Sequence, residues 1–304
     1  MRLQAFALLA AAVLGGCASV PTERDVEIRF GARVGEAEFR CGQSYAGIGT
    51  TNARITPTDF RFYVSDVELI DAAGRAVKLQ LAQDGVWQFR DLALLDFEDG
   101  SGPCRGGTTG LNARVVGKAP PGDYRGISFT LGVPFALNHG DPTVAPSPLN
   151  LTAMFWSWQV GYKFVKVDIT SASAVPAAMA APAGGVHGGG GGHGGAQAAA
   201  SGWSLHLGST QCASAGATQP PSQCANPNRL RVTLANFDPA RAIVVADLRA
   251  VLAGANVDVN APNTSPGCMS FPNDPDCMPV MPALGLAYGA APAQPQRFFR
   301  TEAR

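Results

Sequence analysis

Apolar residues in this chain recur with a period of two, in short runs closed by glycine or proline. Val26, Ile28 and Phe30 alternate with charged neighbours; Phe60, Phe62 and Val64 do so in DFRFYVSDVELI, Ile127, Phe129 and Leu131 in GISFTLGV, and Val165, Val167 and Ile169 in KFVKVDI. Residues two apart share one face of a strand, so each run predicts a half-buried β-strand. VWQF from Val86, WSLHL from Trp203 and LRVTL from Leu230 add more. With 36 Gly and 23 Pro to punctuate them, these seven or more short strands predict an all-β fold, a β-sandwich with long loops. One short C-terminal helix is predicted in VVADLRAVLAG: Asp247 caps it, Leu248, Val251 and Leu252 form one apolar face, and Gly254 ends it. No longer repeat runs along the chain.

Cysteine placement adds staples to that sandwich. The first of seven, Cys17, ends MRLQAFALLAAAVLGGC, where one early charge, Arg2, precedes an apolar run from Ala5 to Leu14. The run is too short for a membrane span and reads as a secretory signal peptide over residues 1–16. Leu14, Gly15, Gly16 and Cys17 resemble a bacterial lipobox, which implies that Cys17 is lipidated and begins a linker over 17–25. Ordinary cleavage nearby, with Cys17 lost, is the competing reading. Several acyl chains give stable anchoring. Ala18, standing where enteric lipoproteins retained at the inner membrane carry aspartate, points to the outer membrane and a periplasmic location. The remaining six cysteines are an even number in an oxidising compartment, which predicts three disulfides. Local spacing pairs Cys212 with Cys224 and Cys268 with Cys277, leaving Cys41 for Cys104. Zinc is the rival use of these thiols, although no CxxC occurs.

Residues 26–304 read as a single domain, with 23 basic side chains balanced by 23 acidic ones. That balance leaves no electrostatic footprint for nucleic acid. Residues 171–202 depart from the strand pattern: Ala, Gly, Ser and Pro, including GGVHGGGGGHGG, cannot bury enough apolar surface to offset the entropy of ordering. This segment is predicted to be a flexible surface loop joining two strands. Its His187 and His193 are either an auxiliary metal site or solvated passengers.

The other two histidines flank a tryptophan-rich stretch. His139 lies in FALNHGDPTVAPSPLN and His206 in WSLHLGSTQC, with MFWSWQVGYKF between them. In the second strand Trp203, Leu205 and Leu207 share one face and Ser204 and His206 the other, so His206 is a ligand only if that face lines a rim beside the tryptophans. Imidazole suits copper, zinc, iron and nickel alike, and two histidines select none of them. Trp156 and Trp158 would point the same way in a strand, and core packing is the ordinary reason for such a pair. GxSxG and HExxH are absent, so autonomous catalysis is not expected.

In order, DFRFYVSDVELI, LGVPFALNH, PLNLTAMFWSWQVGYKFVKVD, LHLGSTQC, NPNRLRVTL, GCMSFPNDPDC and the terminal RFF resemble the MbnP-type family of copper-binding proteins, also called metallo-mystery pair four-Cys motif proteins. The likeness runs from about Val26 to Phe299, and the long HGGGGGHGG stretch is the main departure from it. The resemblance implies an exported protein encoded beside a MauG-like dihaem cytochrome c peroxidase. It also implies copper held by two histidines and a kynurenine made by oxidising a tryptophan. Carried onto this sequence, the ligands are His139 and His206, and the modified residue is Trp156 or Trp158, Trp156 being nearer the loop that bears His139. Indole N–H only donates, whereas the aromatic amine of kynurenine is a nitrogen ligand. No CxxCH is present, so the oxidising haem belongs to a partner. Asp141 either accepts a hydrogen bond from a ligand imidazole or caps the GDP turn. Periplasmic copper capture, storage or delivery is the function this implies. The competing class is a non-metal envelope lipoprotein whose exposed aromatics bind a glycan or a protein.

Overall fold

The structure is a computed structural model and describes residues 22–172, 202–216 and 219–304. In the smaller of its two main sheets, Arg24–Val34 lies between the parallel strand Ala242–Asp247 and the antiparallel strand Arg114–Ala119. Phe299–Ala303 and Gln80–Leu81 form its edges. The larger sheet is organised by the 19-residue strand Ala53–Asp71. Its C-terminal half pairs with Tyr124–Leu131, which pairs in turn with Leu230–Ala235. Its N-terminal half pairs with Val165–Ser171, followed by Gly202–Leu207 and Gly267–Cys268.

The sheets pack face to face as the alternation predicts. Phe30 of the small sheet meets Phe62 and Phe129 of the large one edge-on, with ring centres 6.1 and 5.7 Å apart, and Phe299 meets the same two at 5.5 and 5.1 Å. Asp247 caps the Leu248–Leu252 helix, its Oδ1 accepting from the N–H groups of Arg249 and Ala250. Two further single-turn helices, Phe135–Asn138 and Val280–Leu284, are too short to write a period into the sequence. VWQF contributes strand only at Gln88–Phe89, because Asp84 Oδ1 gathers the N–H groups of Val86, Trp87 and Gln88 into a turn. All three disulfides pair as spacing predicts. The strands on either side of the Ala/Gly/His segment are antiparallel neighbours, from Val165 opposite Leu207 to Thr170 opposite Gly202. Cys17, His187 and His193 lie outside the described residues.

The long strand is buried on both faces at its centre. Phe60, Phe62 and Val64 point into the sandwich, while Asp59, Arg61 and Tyr63 point the other way and are buried as well. The chain between Gly132 and Phe164 lies over this outer face. Tyr63 donates its hydroxyl to the Pro148 carbonyl at 3.0 Å and meets the Tyr162 ring edge-on at 5.9 Å.

Candidate metal centre

Strand register builds the site on that covered outer face. Arg61 lies opposite Lys166 and Lys166 opposite His206; two residues along on the same face, Asp59 lies opposite Asp168 and Asp168 opposite Ser204. A cationic row therefore runs beside an anionic one. His206 Nε2 and Ser204 Oγ both donate to Asp168 Oδ1, each at 2.7 Å. Lys166 Nζ bridges Asp168 and Asp59, and Arg61 chelates Asp59 while reaching Glu98 at 3.4 Å.

These contacts decide which imidazole nitrogen is spare. Burial would raise the Asp168 carboxyl, but hydrogen bonds from His206 and Lys166 and the Lys166 charge outweigh it and hold the group well below the usual carboxylate range. Burial also dominates at His206 and lowers its pKa against the pull of Asp168, so the ring is neutral with its proton on Nε2. His206 Nδ1 is buried and has no hydrogen-bond partner among the described residues.

The second histidine and the tryptophans meet in a hairpin. Phe155–Ser157 pairs with Gly161–Tyr162 across a turn at 158–160. The expectation of two indoles on one strand face fails there, because Trp158 lies in the turn. Asn138 imposes that geometry: its Oδ1 accepts from Tyr162 N at 2.9 Å and its Nδ2 donates to the Val160 carbonyl. At Gly161, φ is +80° and a Cβ would come within 2.3 Å of the Asn138 carbonyl oxygen, so only glycine fits. The Trp156 ring lies 6.1 Å from that of His206 and 5.9 Å from that of Phe271, across Gly208. Both tryptophans are half-buried, and the fully buried indole of the sandwich core is Trp203. His139, 6% exposed, donates Nδ1–H to the Trp158 carbonyl at 3.0 Å. Its Nε2 accepts from Asn138 Nδ2 at 3.2 Å and lies 3.7 Å from Cys224 Sγ. Burial pulls this imidazole down too, against the Trp158 carbonyl, leaving it neutral. Both histidines thus touch one hairpin, His206 through the Trp156 ring and His139 through the Trp158 carbonyl.

Those blocks are the ones a family comparison should detect, and the MbnP family model matches residues 23–270. The chain belongs to the MbnP family. In three dimensions it is similar to MbnP from Methylosinus trichosporium, with a TM-score of 0.78 and 30% identity over 92% of this chain and 99% of that one. No curated protein sequence matches the chain. In this MbnP-family chain the LNH, FWSWQ, HLGST, NPN and CMSF blocks converge. Ser270 Oγ donates to the His206 carbonyl at 2.9 Å, Asn228 Nδ2 to the Gly208 carbonyl at 2.8 Å, and Asn138 Nδ2 to Ser209 Oγ at 3.4 Å.

The donor set fits a metal. His206 has one nitrogen tied by an anion and the other left for a ligand bond, the arrangement seen in metal-bound histidines, while His139 has Nδ1 tied by a carbonyl and an Nε2 that a ligand bond would take over from Asn138 Nδ2. Asp141 is not among the supporting groups: its Oδ1 accepts from Thr143 N and Oγ1 at 2.8 and 2.7 Å, which is the turn-capping role. The carboxylate on a candidate ligand is Asp168. Sequence reading also passed over Asn138 and Ser270. Asp168 sits with Lys166 on the polar alternants of KFVKVDI, and their distance from solvent appears only once the covering segment is placed.

Proposed function

We propose that this chain is an exported, Cys17-anchored lipoprotein of the periplasm, facing it from the outer membrane, that captures, stores or delivers copper. Its ligands are His139, His206 and a kynurenine made from Trp156. One observation carries the reading: a buried, neutral His206 is held at Nε2 by Asp168, with its Nδ1 unpartnered and the Trp156 ring 6.1 Å away. A buried nitrogen without a partner costs stability unless a ligand fills the gap. Copper is chosen among the metals by resemblance to the family, since imidazole alone does not choose.

Trp156 is favoured over Trp158 because it is the ring beside His206, whereas Trp158 lies in the turn and offers its carbonyl to His139. When bound, copper supplies the centre on which the nitrogen donors converge. The chain's own part is to orient them: Asp168 keeps the proton on His206 Nε2, the Trp158 carbonyl keeps one on His139 Nδ1, and Gly208 leaves room for the indole. Oxidative cleavage of the pyrrole ring of Trp156 inserts two oxygens, and hydrolysis of the resulting formyl group, which leaves as formate, frees an aromatic amine with a net gain of one oxygen and loss of one carbon. A dihaem cytochrome c peroxidase of the MauG-like kind provides the oxidising equivalents.

Peptide mass spectrometry on protein from its own host tests this. A gain of about 4 Da at Trp156 is expected, marking conversion to a residue with a ligand amine. An unmodified peptide from cells that also make the peroxidase removes kynurenine from the account. Copper titration of His139→Ala and His206→Ala should show much larger losses than His187→Ala or His193→Ala, and equal losses from all four would move the site to the Gly/His loop.

A further inference from the structure

A ring nitrogen of His139 and the sulfurs of Cys212 and Cys224 lie within 4.8 Å of one another, with Nε2 3.7 Å from Cys224 Sγ. Nitrogen and sulfur ligands at roughly 2.0 and 2.3 Å from one ion stand roughly 3.5–3.7 Å apart at tetrahedral to trigonal angles. His139 is therefore already at coordination spacing from Cys224, and the sulfur–sulfur bond is what withholds the two thiolates. We propose that two-electron reduction of the Cys212–Cys224 bridge by a dithiol turns these two cysteines and His139 into a second, Cu(I)-selective site.

Three features single out this bridge. Cys212 and Cys224 are both half-buried, whereas Cys268 and Cys277 are fully buried and half-buried Cys41 is joined to fully buried Cys104. Thiol exchange requires access to a sulfur, and this is the bridge with neither cysteine fully buried. It also joins Thr210–Ala213 to Gln223–Asn226, a two-stranded sheet apart from both main sheets, and neither cysteine belongs to the apolar core. The sandwich does not depend on it. Finally, Cys212 lies directly opposite Cys224, and Asn226 Nδ2 bonds Thr210 Oγ1 and Gln211 Oε1, each at 3.1 Å. The backbone therefore keeps both sulfurs facing each other after the bond opens. The disulfide takes two electrons and two protons from the dithiol, which closes to its own disulfide; Cu(I) then displaces the two thiol protons. Thiolates are soft ligands and suit Cu(I). The site uses His139 Nε2, the one nitrogen the proposed copper centre would also use, so the two sites are alternatives; this one needs neither His206 nor a modified tryptophan and stands without that reading.

The test is anaerobic Cu(I) titration of the full chain against a colorimetric chelator, before and after mild reduction with dithiothreitol, with alkylation mapping to identify the opened bridge. Mapping should find only Cys212 and Cys224 free, and at a chelator concentration that strips the oxidised form the reduced protein should still hold one Cu(I). That ion should be lost in Cys212→Ser/Cys224→Ser, released to the chelator in His139→Ala, and retained in His206→Ala. Alkylating the two thiols in reduced wild-type protein should abolish it too, which covers a double variant that fails to fold. No gain on reduction, a gain that survives alkylation or the double variant, indifference to His139→Ala, or earlier opening of a buried bridge would each overturn the proposal. Loss of the oxidised protein's copper in His206→Ala, with the reduced protein's ion unaffected, separates this site from the first.

Discussion

Asp168 is a carboxylate with three donors: Ser204, His206 and Lys166. Its contact with His206 fixes the tautomer and raises the basicity of the free nitrogen, and loss of such a partner typically weakens metal affinity about 10–100-fold. Asp168→Asn should therefore weaken copper binding by about 10–100-fold in chelator competition, whereas Asp141→Asn, at a carboxylate bonded to Thr143, should leave it unchanged. Equal affinities for the two variants would mean that His206 is not a ligand. The candidate histidines themselves were legible from their sequence blocks. Asp168 was not, because its role depends on a diagonal contact with a residue 38 positions away.

At the scale of elements, the site depends on how closely a hairpin and a strand end can approach. A Cβ on Gly208 would stand 2.5 Å from Trp156 Cζ3 and 2.8 Å from the Tyr162 carbonyl oxygen, and a carbonyl cannot swing aside as a long side chain does. Gly208→Ala should cost about 1–3 kcal/mol through overpacking and lower the fraction of Trp156 converted. Gly216→Ala, with nothing within 4 Å, is the control. Thermal melts and peptide mass spectrometry read both effects; full conversion with an unchanged melting temperature would show that the ring is not held against Gly208. Strands were legible because alternation is a local property. The turn at Trp158 was not, since Asn138, 20 or more residues upstream of the residues it clamps, imposes it.

Across the whole molecule, closure of the Gly132–Phe164 segment and the loop after Phe97 buries charge on the outer face of the large sheet. Burial pushes the Asp96 carboxyl up to about 7, against the pull of Arg61. The unfolded chain titrates this group near its ordinary value of about 3.9, so the native state holds the proton more tightly. Between about pH 4 and 7 unfolding releases that proton, and stability falls as pH rises, levelling above 7; the loss is on the order of a few kcal/mol. Asp96→Asn should remove this slope, gaining on wild type from about pH 4.5 to about pH 8 in denaturant titrations. A difference between the two proteins that stays constant with pH would show that Asp96 is ionised throughout. Strand positions, the Asp247 cap and the cysteine pairing were determined by the sequence alone, because period, capping chemistry and spacing act over short stretches; the candidate ligands were what the family resemblance implied. Tertiary structure alone decided that His206 Nδ1 is the spare nitrogen, that Asp168 rather than Asp141 contacts a candidate ligand, and that Trp156 is the indole beside it. Each of these depends on register between distant strands, such as Lys166 meeting Asp59 across 107 residues, and register is set by burying both faces of the long strand at once.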